Sequence, residues 1–564
     1  MCTEEKGKMI YIKKSVFLGI IFLSIYSLFF LGAMGLRGSG KINNNSYKIE
    51  IKNGWFYVNG ERFFVKGVNY CGWRPGRSPH DLDNVDLKLA ENDFRLIKEA
   101  GFNTIRTAGG LNPELMELAK KYGLMVMYGI WFDRDINYSD PEKIKYATDM
   151  VKKNVEWAKD FDNILCYLVM NEPVMERVRE AGKADTEYFL KNIKNAVKSI
   201  DPNRNVSFAN WVPLSFIDHS FWDAICFNVY NYAPVTITYS LGYKGYIEWL
   251  KDTIAKDKPL IITEYGLSVS ERRIGEGNSE NFGYGGNSLD AQKTGVIKMY
   301  DDIIQAGAQG GCVFEWIDTW WMQGDKREHD NHPEEWFGVL GIDTMTSDPK
   351  GTLRPVYQAL KEYNQAIVVE PKKLNYYSGE VPIEIYSTDK INLIQYRINE
   401  NHWQYLKKQG DFWWKAKWNS EKWEDGRQVL EIKTLGQDNN LLCSKKIEFW
   451  TANKNSMPPL PYQVEIITDR EGYRIKEKMQ IKIKVVDAKG RPIGNQAVYY
   501  SFFQPIGWDE FKYQSTTNEK GEIDTQYSTF TPGYITVAAG VLYKDGDYER
   551  NFGNVKAVLF KLSQ

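Results

Sequence analysis

The sequence has no excess of charge of either sign and no pairing pattern among its few cysteines. Its 72 Lys and Arg residues balance 73 Asp and Glu residues. It therefore lacks the broad basic surface that nucleic-acid binding requires, and we expect no nucleic-acid partner. The six cysteines have no short paired spacing, which favours free, buried thiols over a disulfide framework. A Gly-rich nucleotide-binding loop is also lacking.

Aromatic residues, in contrast, are abundant, with 18 Trp, 35 Tyr and 27 Phe. Flat amphipathic rings suit either the cores of β-sandwiches or the apolar faces of sugars, and core packing alone can explain most of them. The length of 564 residues is too great for one hydrophobic core. We therefore expect about three folded units.

Residues 16–36 form an apolar run of 21 residues without a charge, about the length of a helix that crosses a bilayer core of roughly 30 Å. The lysines before it predict that residues 1–15 are cytoplasmic and that the rest lies outside. The run is either a transmembrane anchor or a cleaved signal peptide, and its length favours the anchor. The expected location is the cell membrane, with a single span and the catalytic domain outside, or the secreted fraction.

Residues 37–46 are small and polar, as in a linker. Over residues 47–370, short β-rich runs alternate with helical patterns, which indicates repeated βα units. The predicted strands are 63–69, 103–107, 124–130, 164–171, 205–210, 223–229, 259–264 and 310–315. Eight such strands predict an α/β fold with a closed (β/α)8 TIM barrel rather than an open sheet. The short interval between the fifth and sixth strands predicts one irregular crossover.

The pattern changes after the barrel to alternating apolar and polar residues with frequent turn signals. It predicts a β-sandwich domain over residues 371–454. Residues 455–461 form a Pro-rich linker. Residues 462–564 resemble an immunoglobulin-like β-sandwich domain.

Two glutamates stand at predicted strand ends, where the active sites of (β/α)8 barrels lie. Strand four ends at Glu172, beside Asn171, and strand seven ends at Glu264. Retaining cleavage of a glycoside needs two carboxyl groups roughly 5–5.5 Å apart. We predict that Glu172 is the acid/base and Glu264 the nucleophile, with Tyr230 and Arg106 as hydrogen-bond donors to Glu264.

These motifs carry a family resemblance. Val169-Met-Asn-Glu-Pro173 and Ile261-Ile-Thr-Glu-Tyr-Gly266 are similar to the two signatures of the clan of retaining β-glycosidases that includes glycoside hydrolase families 2 and 5. Four further motifs in the same order resemble strands one, two, six and eight of that clan: Gly60-Glu-Arg-Phe-Phe-Val-Lys-Gly-Val-Asn-Tyr70, Phe102-Asn-Thr-Ile-Arg-Thr107, Phe227-Asn-Val-Tyr230 and Phe314-Glu-Trp316. The resemblance spans residues 47–366.

The resemblance also implies roles for substrate-binding residues. Asn171 is expected to bond the 2-hydroxyl of the sugar, Trp316 to form a sugar platform, and Asn69 in the first-strand motif to contact substrate. Residues 336–343 after strand eight resemble β-1,3-glucanosyltransferases, which use the same carboxylate pair to transfer a glycosyl unit. The catalytic residues therefore leave hydrolysis and transfer both open.

Other aromatic and histidine residues have two interpretations each. Trp131 and Trp320 follow predicted strands, where they can line sugar subsites or simply pack. His329 and His332 have the spacing of a metal pair, but no third ligand is apparent, and a surface loop is favoured. We expect neither a metal nor a cofactor.

Cys166, Cys226 and Cys312 each lie an even number of residues before Glu172, Tyr230 and Trp316. Even spacing on a strand returns to the same face, and alternate strands contribute to one layer of a barrel interior. We therefore predict that the three thiols form a buried layer inside the barrel.

These observations predict a monomeric retaining glycoside hydrolase that acts on a β-linked polysaccharide or oligosaccharide by double displacement. A β-1,3-glucanosyltransferase with the same residues is one alternative. A non-catalytic surface protein that binds carbohydrate is another, although a pseudoenzyme has no chemical need for both glutamates.

Overall fold

The first folded unit in the computed structural model is an eight-stranded parallel barrel. The structure describes residues 46–79, 85–234, 239–278, 280–454, 463–545 and 548–562. The predicted anchor at 16–36 and the linker at 455–461 lie outside these residues. Within the described part of the chain, no helix is long and apolar enough to span a membrane.

The barrel strands follow one another around the barrel, and all neighbours are parallel. They are β4 (Val65–Asn69), β5 (Thr104–Arg106), β6 (Met125–Gly129), β7 (Ile164–Asn171), β8 (Val206–Trp211), β9 (Ile225–Asn228), β10 (Leu260–Tyr265) and β11 (Gly310–Val313). β11 pairs with β4 and closes the ring. The predicted eight-stranded closed barrel is confirmed.

Helices cover the outside of the barrel. They are α1 (Leu87–Glu99), α2 (Pro113–Lys121), α3 (Pro141–Ala158), α4 (Met175–Ile200), α5 (Gly242–Trp249), α6 (Leu289–Gln305) and α7 (Pro355–Tyr363). The caps of α2 and α3 show why they begin where they do, because Asn112 and Asp140 accept bonds from the first-turn amides and a proline follows each. Between β8 and β9 stands only the short 3₁₀ helix Val212–Leu214, the irregular crossover that the spacing predicts.

The barrel interior is filled by an apolar layer that includes Cys166, Cys226 and Cys312, all fully buried. The prediction that these thiols point into the barrel is confirmed, and all three are free. Gly67 makes room for the layer, since a Cβ there would stand 2.4 Å from the Cys312 sulfur.

A small antiparallel sheet precedes the barrel and closes its amino-terminal end. Its strands are β1 (Ile49–Lys52), β2 (Trp55–Val58) and β3 (Glu61–Phe63). Phe56 and Phe63 belong to the same cluster as the barrel interior. The barrel core is therefore sealed at the end opposite the carboxyl ends of the strands.

Two β-sandwiches follow the short strands β12 (Leu340–Gly341) and β13 (Thr352–Leu353). The first has sheets β14-β16-β20-β19 and β15-β22-β21-β17-β18 around one core. Its strands are β14 (Ala366–Glu370), β15 (Tyr376–Tyr377), β16 (Glu380–Ser387), β17 (Leu393–Ile398), β18 (Gln404–Tyr405), β19 (Lys407–Gln409), β20 (Trp413–Asn419), β21 (Gly426–Leu435) and β22 (Leu441–Thr451). β14, which the sequence places in the barrel domain, pairs with β16 and so lies in this sandwich.

The second sandwich has sheets β23-β25-β28 and β24-β30-β29-β26-β27 around its own core. Its strands are β23 (Gln463–Thr468), β24 (Gly472–Arg474), β25 (Met479–Val486), β26 (Ala497–Gln504), β27 (Asp509–Thr516), β28 (Glu522–Tyr527), β29 (Gly533–Asp545) and β30 (Tyr548–Lys561). It packs on the barrel, because Tyr534 stacks on Phe216 with ring centroids 4.0 Å apart. Trp508 in the β26–β27 turn also reaches Trp211 at the end of β8, at 5.9 Å.

Candidate active site

The two glutamates occupy the carboxyl ends of β7 and β10. Glu264 is the fifth residue of β10 and is buried, at 7% exposure. Glu172 follows directly after β7 in a left-handed conformation with φ 47°, which non-glycine residues adopt rarely. Its backbone N–H donates to the Ala209 carbonyl oxygen at 2.8 Å. The fold thus turns the chain sharply at Glu172, at the barrel mouth.

Arg106 at the end of β5 is the central cation of the site. It is buried, and its Nη1 donates to Glu264 Oε1 and to Asn69 Oδ1, each at 2.5 Å, while Nη2 donates to Asn171 Oδ1 at 2.6 Å. The Tyr230 hydroxyl donates to the other Glu264 oxygen at 2.8 Å. Both oxygens of Glu264 are therefore held by the two donors that the sequence names.

Glu172 has a different environment. Burial and the negative charge of Glu264 raise its pKa to about 7, against the opposing effects of Arg134 and of a bond from Asn228. The Asn228 amide donates to Glu172 Oε1 at 2.8 Å. A carboxyl with this pKa is substantially protonated at neutral pH, as a general acid must be.

The two glutamates are linked by a continuous hydrogen-bond network. Asn171 Oδ1 accepts from Arg106 at 2.6 Å and from Asn228 at 3.0 Å, and these two residues bond Glu264 and Glu172 in turn. Because its oxygen accepts both bonds, Asn171 retains its NH₂ group as a donor at the mouth. This arrangement suits a contact with a sugar hydroxyl.

Asn228, Arg134 and Thr263 also belong to the network, although the sequence did not single them out. Thr263 Oγ1 donates to Asn228 Oδ1 at 2.8 Å, and Arg134 Nη1 donates to the carbonyl oxygens of Asn171 and Glu172 at 2.6 Å. Asn228 could have been found from its position two residues before Tyr230 in the sixth-strand motif. Arg134 lies in a loop beyond β6, where no periodicity assigns a direction.

The tryptophans that the sequence predicts to bind sugar differ in their exposure. Trp131, just after β6, is 38% exposed. Trp320 is buried and stacked on His329 with centroids 4.6 Å apart, and its Nε1 donates to the Ile342 carbonyl oxygen. Its ring is thus engaged in packing rather than open to a sugar.

Trp316 is fully buried in the main hydrophobic core, where its ring lies 6.3 Å from Tyr357. It therefore presents no open face, and the expected sugar platform does not stand at this residue. Phe314, two residues earlier, lies instead at the mouth, 6.5 Å from the Tyr230 ring and 5.2 Å from Phe337.

The histidines of the loop after β11 have structural partners. His329 lies between Trp320 and Trp336, stacked on the latter at 3.5 Å. His332 Nδ1 accepts the backbone N–H of Glu334 at 3.3 Å. Among the described residues, no group of three or more His, Cys, Asp or Glu side chains could hold a metal ion.

The fold is a parallel (β/α)8 barrel, and its candidate site is a pair of glutamates at the ends of the fourth and seventh strands, joined by hydrogen bonds. Residues 49–346 match the family described as glycosyl hydrolases family 2, TIM barrel domain. The match spans more than half of the chain, and the chain belongs to this family.

The individual proteins that the chain resembles are distant in sequence. Beta-glucuronidase of Homo sapiens is 25% identical over 237 residues, which cover 39% of this chain and 33% of that protein. Beta-galactosidase of Staphylococcus xylosus is 24% identical over 287 residues, which cover 48% and 25%. A 1,3-beta-glucanosyltransferase of Saccharomyces cerevisiae is 26% identical over 186 residues, which cover 31% and 37%. The matched regions thus span well under half of these relatives.

Among solved structures, the apo structure of Bacteroides uniformis beta-glucuronidase 3 aligns with a TM-score of 0.43 at 15% identity. The alignment covers 91% of this chain and 64% of that one.

Proposed function

We propose that the protein is a retaining glycoside hydrolase that cleaves β-linked carbohydrate through a covalent glycosyl-enzyme. The observation that carries the proposal is the contrast between the two glutamates within one network. Arg106 and Tyr230 donate hydrogen bonds to the two oxygens of Glu264. Burial and the negative charge of Glu264, in contrast, raise the pKa of Glu172 to about 7. One carboxylate suits attack and the other suits proton donation.

The reaction follows from these roles. Glu264 attacks the anomeric carbon, the glycosidic C–O bond breaks, and the leaving oxygen takes the proton of Glu172. Glu172, now ionised, removes a proton from water, which displaces Glu264 and releases the sugar with its original configuration. The NH₂ group of Asn171 is placed to bond a sugar hydroxyl during both steps.

The named relatives offer three substrate classes: glucuronides, galactosides and β-1,3-glucans. A glucanosyltransferase would use the same two glutamates with a sugar hydroxyl in place of water. A protein that only binds carbohydrate would need neither the raised pKa of Glu172 nor the hydrogen bonds from Arg106 and Tyr230 to Glu264.

We further propose that the enzyme works outside the cell membrane as a monomer. The proposed location rests on the uncharged apolar run at 16–36 and on the lysines before it. The uncleaved anchor and the cleaved signal peptide both place the barrel outside.

The test is mass spectrometry of the products formed by the full-length chain from β-1,3-, β-1,4- and β-1,6-linked oligosaccharides. Glu264→Gln is the control. Shorter products that the control does not form would support hydrolysis. Products longer than the substrate would show that the enzyme is a transglycosylase instead. No change on any linkage would contradict catalysis on these carbohydrates.

A further inference from the structure

The β26–β27 hairpin of the second sandwich lies against the carboxyl-terminal side of the barrel, where the two glutamates stand. It contacts the chain at or after three successive barrel strands. The contacts are Trp508 with Trp211 at the end of β8, with ring centroids 5.9 Å apart, Ser501 with Ser240 after β9, with hydroxyls 2.7 Å apart, and Lys512 with Glu276 after β10, with 3.8 Å between Nζ and Oε2. The second sandwich therefore borders the mouth of the barrel.

Trp211 is the last residue of β8, and its side chain lies on the inner face of that strand. Ala209, two residues earlier, pairs in register with Cys226, whose side chain fills the barrel interior. Asn210 points the opposite way, since its amide donates to the Leu214 carbonyl oxygen at 2.9 Å. Side chains alternate along a strand, so Trp211 shares the inner face with Ala209 and lies at the mouth.

Trp211 also stands beside the acid/base. The Glu172 backbone N–H donates to the Ala209 carbonyl oxygen at 2.8 Å. Trp211 itself pairs in register with Asn228, whose amide donates to Glu172 Oε1 at 2.8 Å. Because Glu172 gives its proton to the leaving oxygen, the leaving group lies on this side of the mouth.

Trp508 is held beside Trp211 by a braced turn. Its backbone N–H donates to the Pro505 carbonyl oxygen at 3.2 Å, and the Gln504 amide donates to the Ile506 carbonyl oxygen at 3.1 Å. Trp508 has φ 54°, a left-handed conformation in which a bulky residue is an outlier. Such outliers cluster at active sites and ligand-binding sites. The turn thus fixes an indole ring at the edge of the leaving-group side.

We propose that Trp211 and Trp508 together bind the sugar ring of the leaving group, so that the second sandwich helps to select oligosaccharides as substrates. This inference rests on the proposed glycosidase function. Both indole rings are half-buried and keep part of their surface open, and such rings pack well on the apolar faces of sugars. A leaving group without a ring has no face to offer them, so the contact favours a β-linked oligosaccharide.

The experiment compares kcat/KM of the full-length enzyme on two kinds of substrate. One kind is a β-1,3-, β-1,4- or β-1,6-linked oligosaccharide, and the other is the β-fluoride of glucose, galactose or glucuronic acid, whose leaving group carries no ring. In each kind, the substrate that the wild type cleaves fastest is used. The ratio of the oligosaccharide value to the fluoride value should fall about 10-fold in Trp508→Ala. Trp508→Phe retains an aromatic ring and should keep the ratio within about 3-fold of the wild type.

The matched control is Tyr534→Ala. Tyr534 joins the same two domains through its stack on Phe216, with centroids 4.0 Å apart, and its removal leaves the contact between Trp508 and Trp211 in place. The ratio should not change in this variant. An equal fall in Tyr534→Ala would assign the effect to domain packing and overturn the inference, as would an unchanged ratio in Trp508→Ala.

The activity of the wild type separates failure of the inference from failure of the proposed function. If the wild type cleaved a fluoride but no oligosaccharide, the leaving-group site would not accept a sugar, and the inference would fail while the glycosidase function stood. Cleavage of neither kind of substrate would remove the proposed function and the inference with it.

Discussion

The hydrogen bond from Asn228 to Glu172 gives a quantitative prediction for the pH dependence of catalysis. The bond, at 2.8 Å, lowers the pKa of Glu172 because it favours the ionised form. A hydrogen bond to a charged group is worth about 1.5–3 kcal/mol, and one pH unit corresponds to about 1.36 kcal/mol. Asn228→Ala should therefore raise the pKa of Glu172 by about one to two units from its present value of about 7.

The assay is the pH profile of kcat/KM on an aryl β-glycoside. Glu172 must be protonated to act as an acid, so activity should fall above a pH of about 7 in the wild type. In Asn228→Ala this basic limb should move to a pH of about 8 or higher, even if the maximum rate declines.

The matched control is Thr263→Val, which removes the bond to the far end of Asn228 and leaves the bond to Glu172 in place. Its basic limb should stay within a few tenths of a pH unit of the wild type. A limb that does not move in Asn228→Ala, or that moves to lower pH, would refute the assignment of Glu172 as the acid.

Three further predictions follow from the buried groups. Arg106→Met leaves the buried carboxylate of Glu264 without its cation, and it should lower the free energy of unfolding by about 3–5 kcal/mol in urea denaturation; a loss below 1 kcal/mol would show that the pair is solvated. Tyr230→Phe removes the donor to Glu264 and should lower kcat/KM by about 10- to 100-fold with an unchanged melting temperature; full activity would contradict the contact. The thiols of Cys166, Cys226 and Cys312 should resist an aromatic disulfide reagent in the native protein and react on unfolding. Rapid labelling of all three before unfolding would contradict their burial inside the barrel.

The barrel and the positions of its two glutamates were predictable because they depend on local patterns. Each strand is a short apolar run that ends at a turn, so Glu172 and Glu264 could be placed at strand ends from the sequence alone. Cys312 lies inside the barrel as predicted, although its reference residue in the spacing argument, Trp316, lies beyond the end of β11, where alternation no longer applies.

The family resemblance assigned Trp316 to the sugar site, whereas the structure buries it in the core. β11 ends at Val313 in the structure, and the predicted strand extended to residue 315. Alternation of side chains applies only while the backbone remains extended. Beyond Val313 the chain turns, Phe314 lies at the mouth, and Trp316 enters the core.

Contacts between distant segments gave no signal in the sequence. Trp508 of the last sandwich reaches Trp211 across about 300 residues of chain, and Tyr284 in the loop after β10 stacks on Tyr232 in the loop after β9. Such contacts depend on how loops and domains pack, which composition and periodicity do not encode.

The central claim, that Glu264 forms a covalent intermediate and the configuration is retained, is tested most directly by proton NMR of an aryl β-glycoside during its first minutes of hydrolysis. The account predicts that the β-anomer of the released sugar appears first and that the α-anomer accumulates later by mutarotation. Initial formation of the α-anomer would mean inversion, and it would contradict the assignment of Glu264 as the nucleophile.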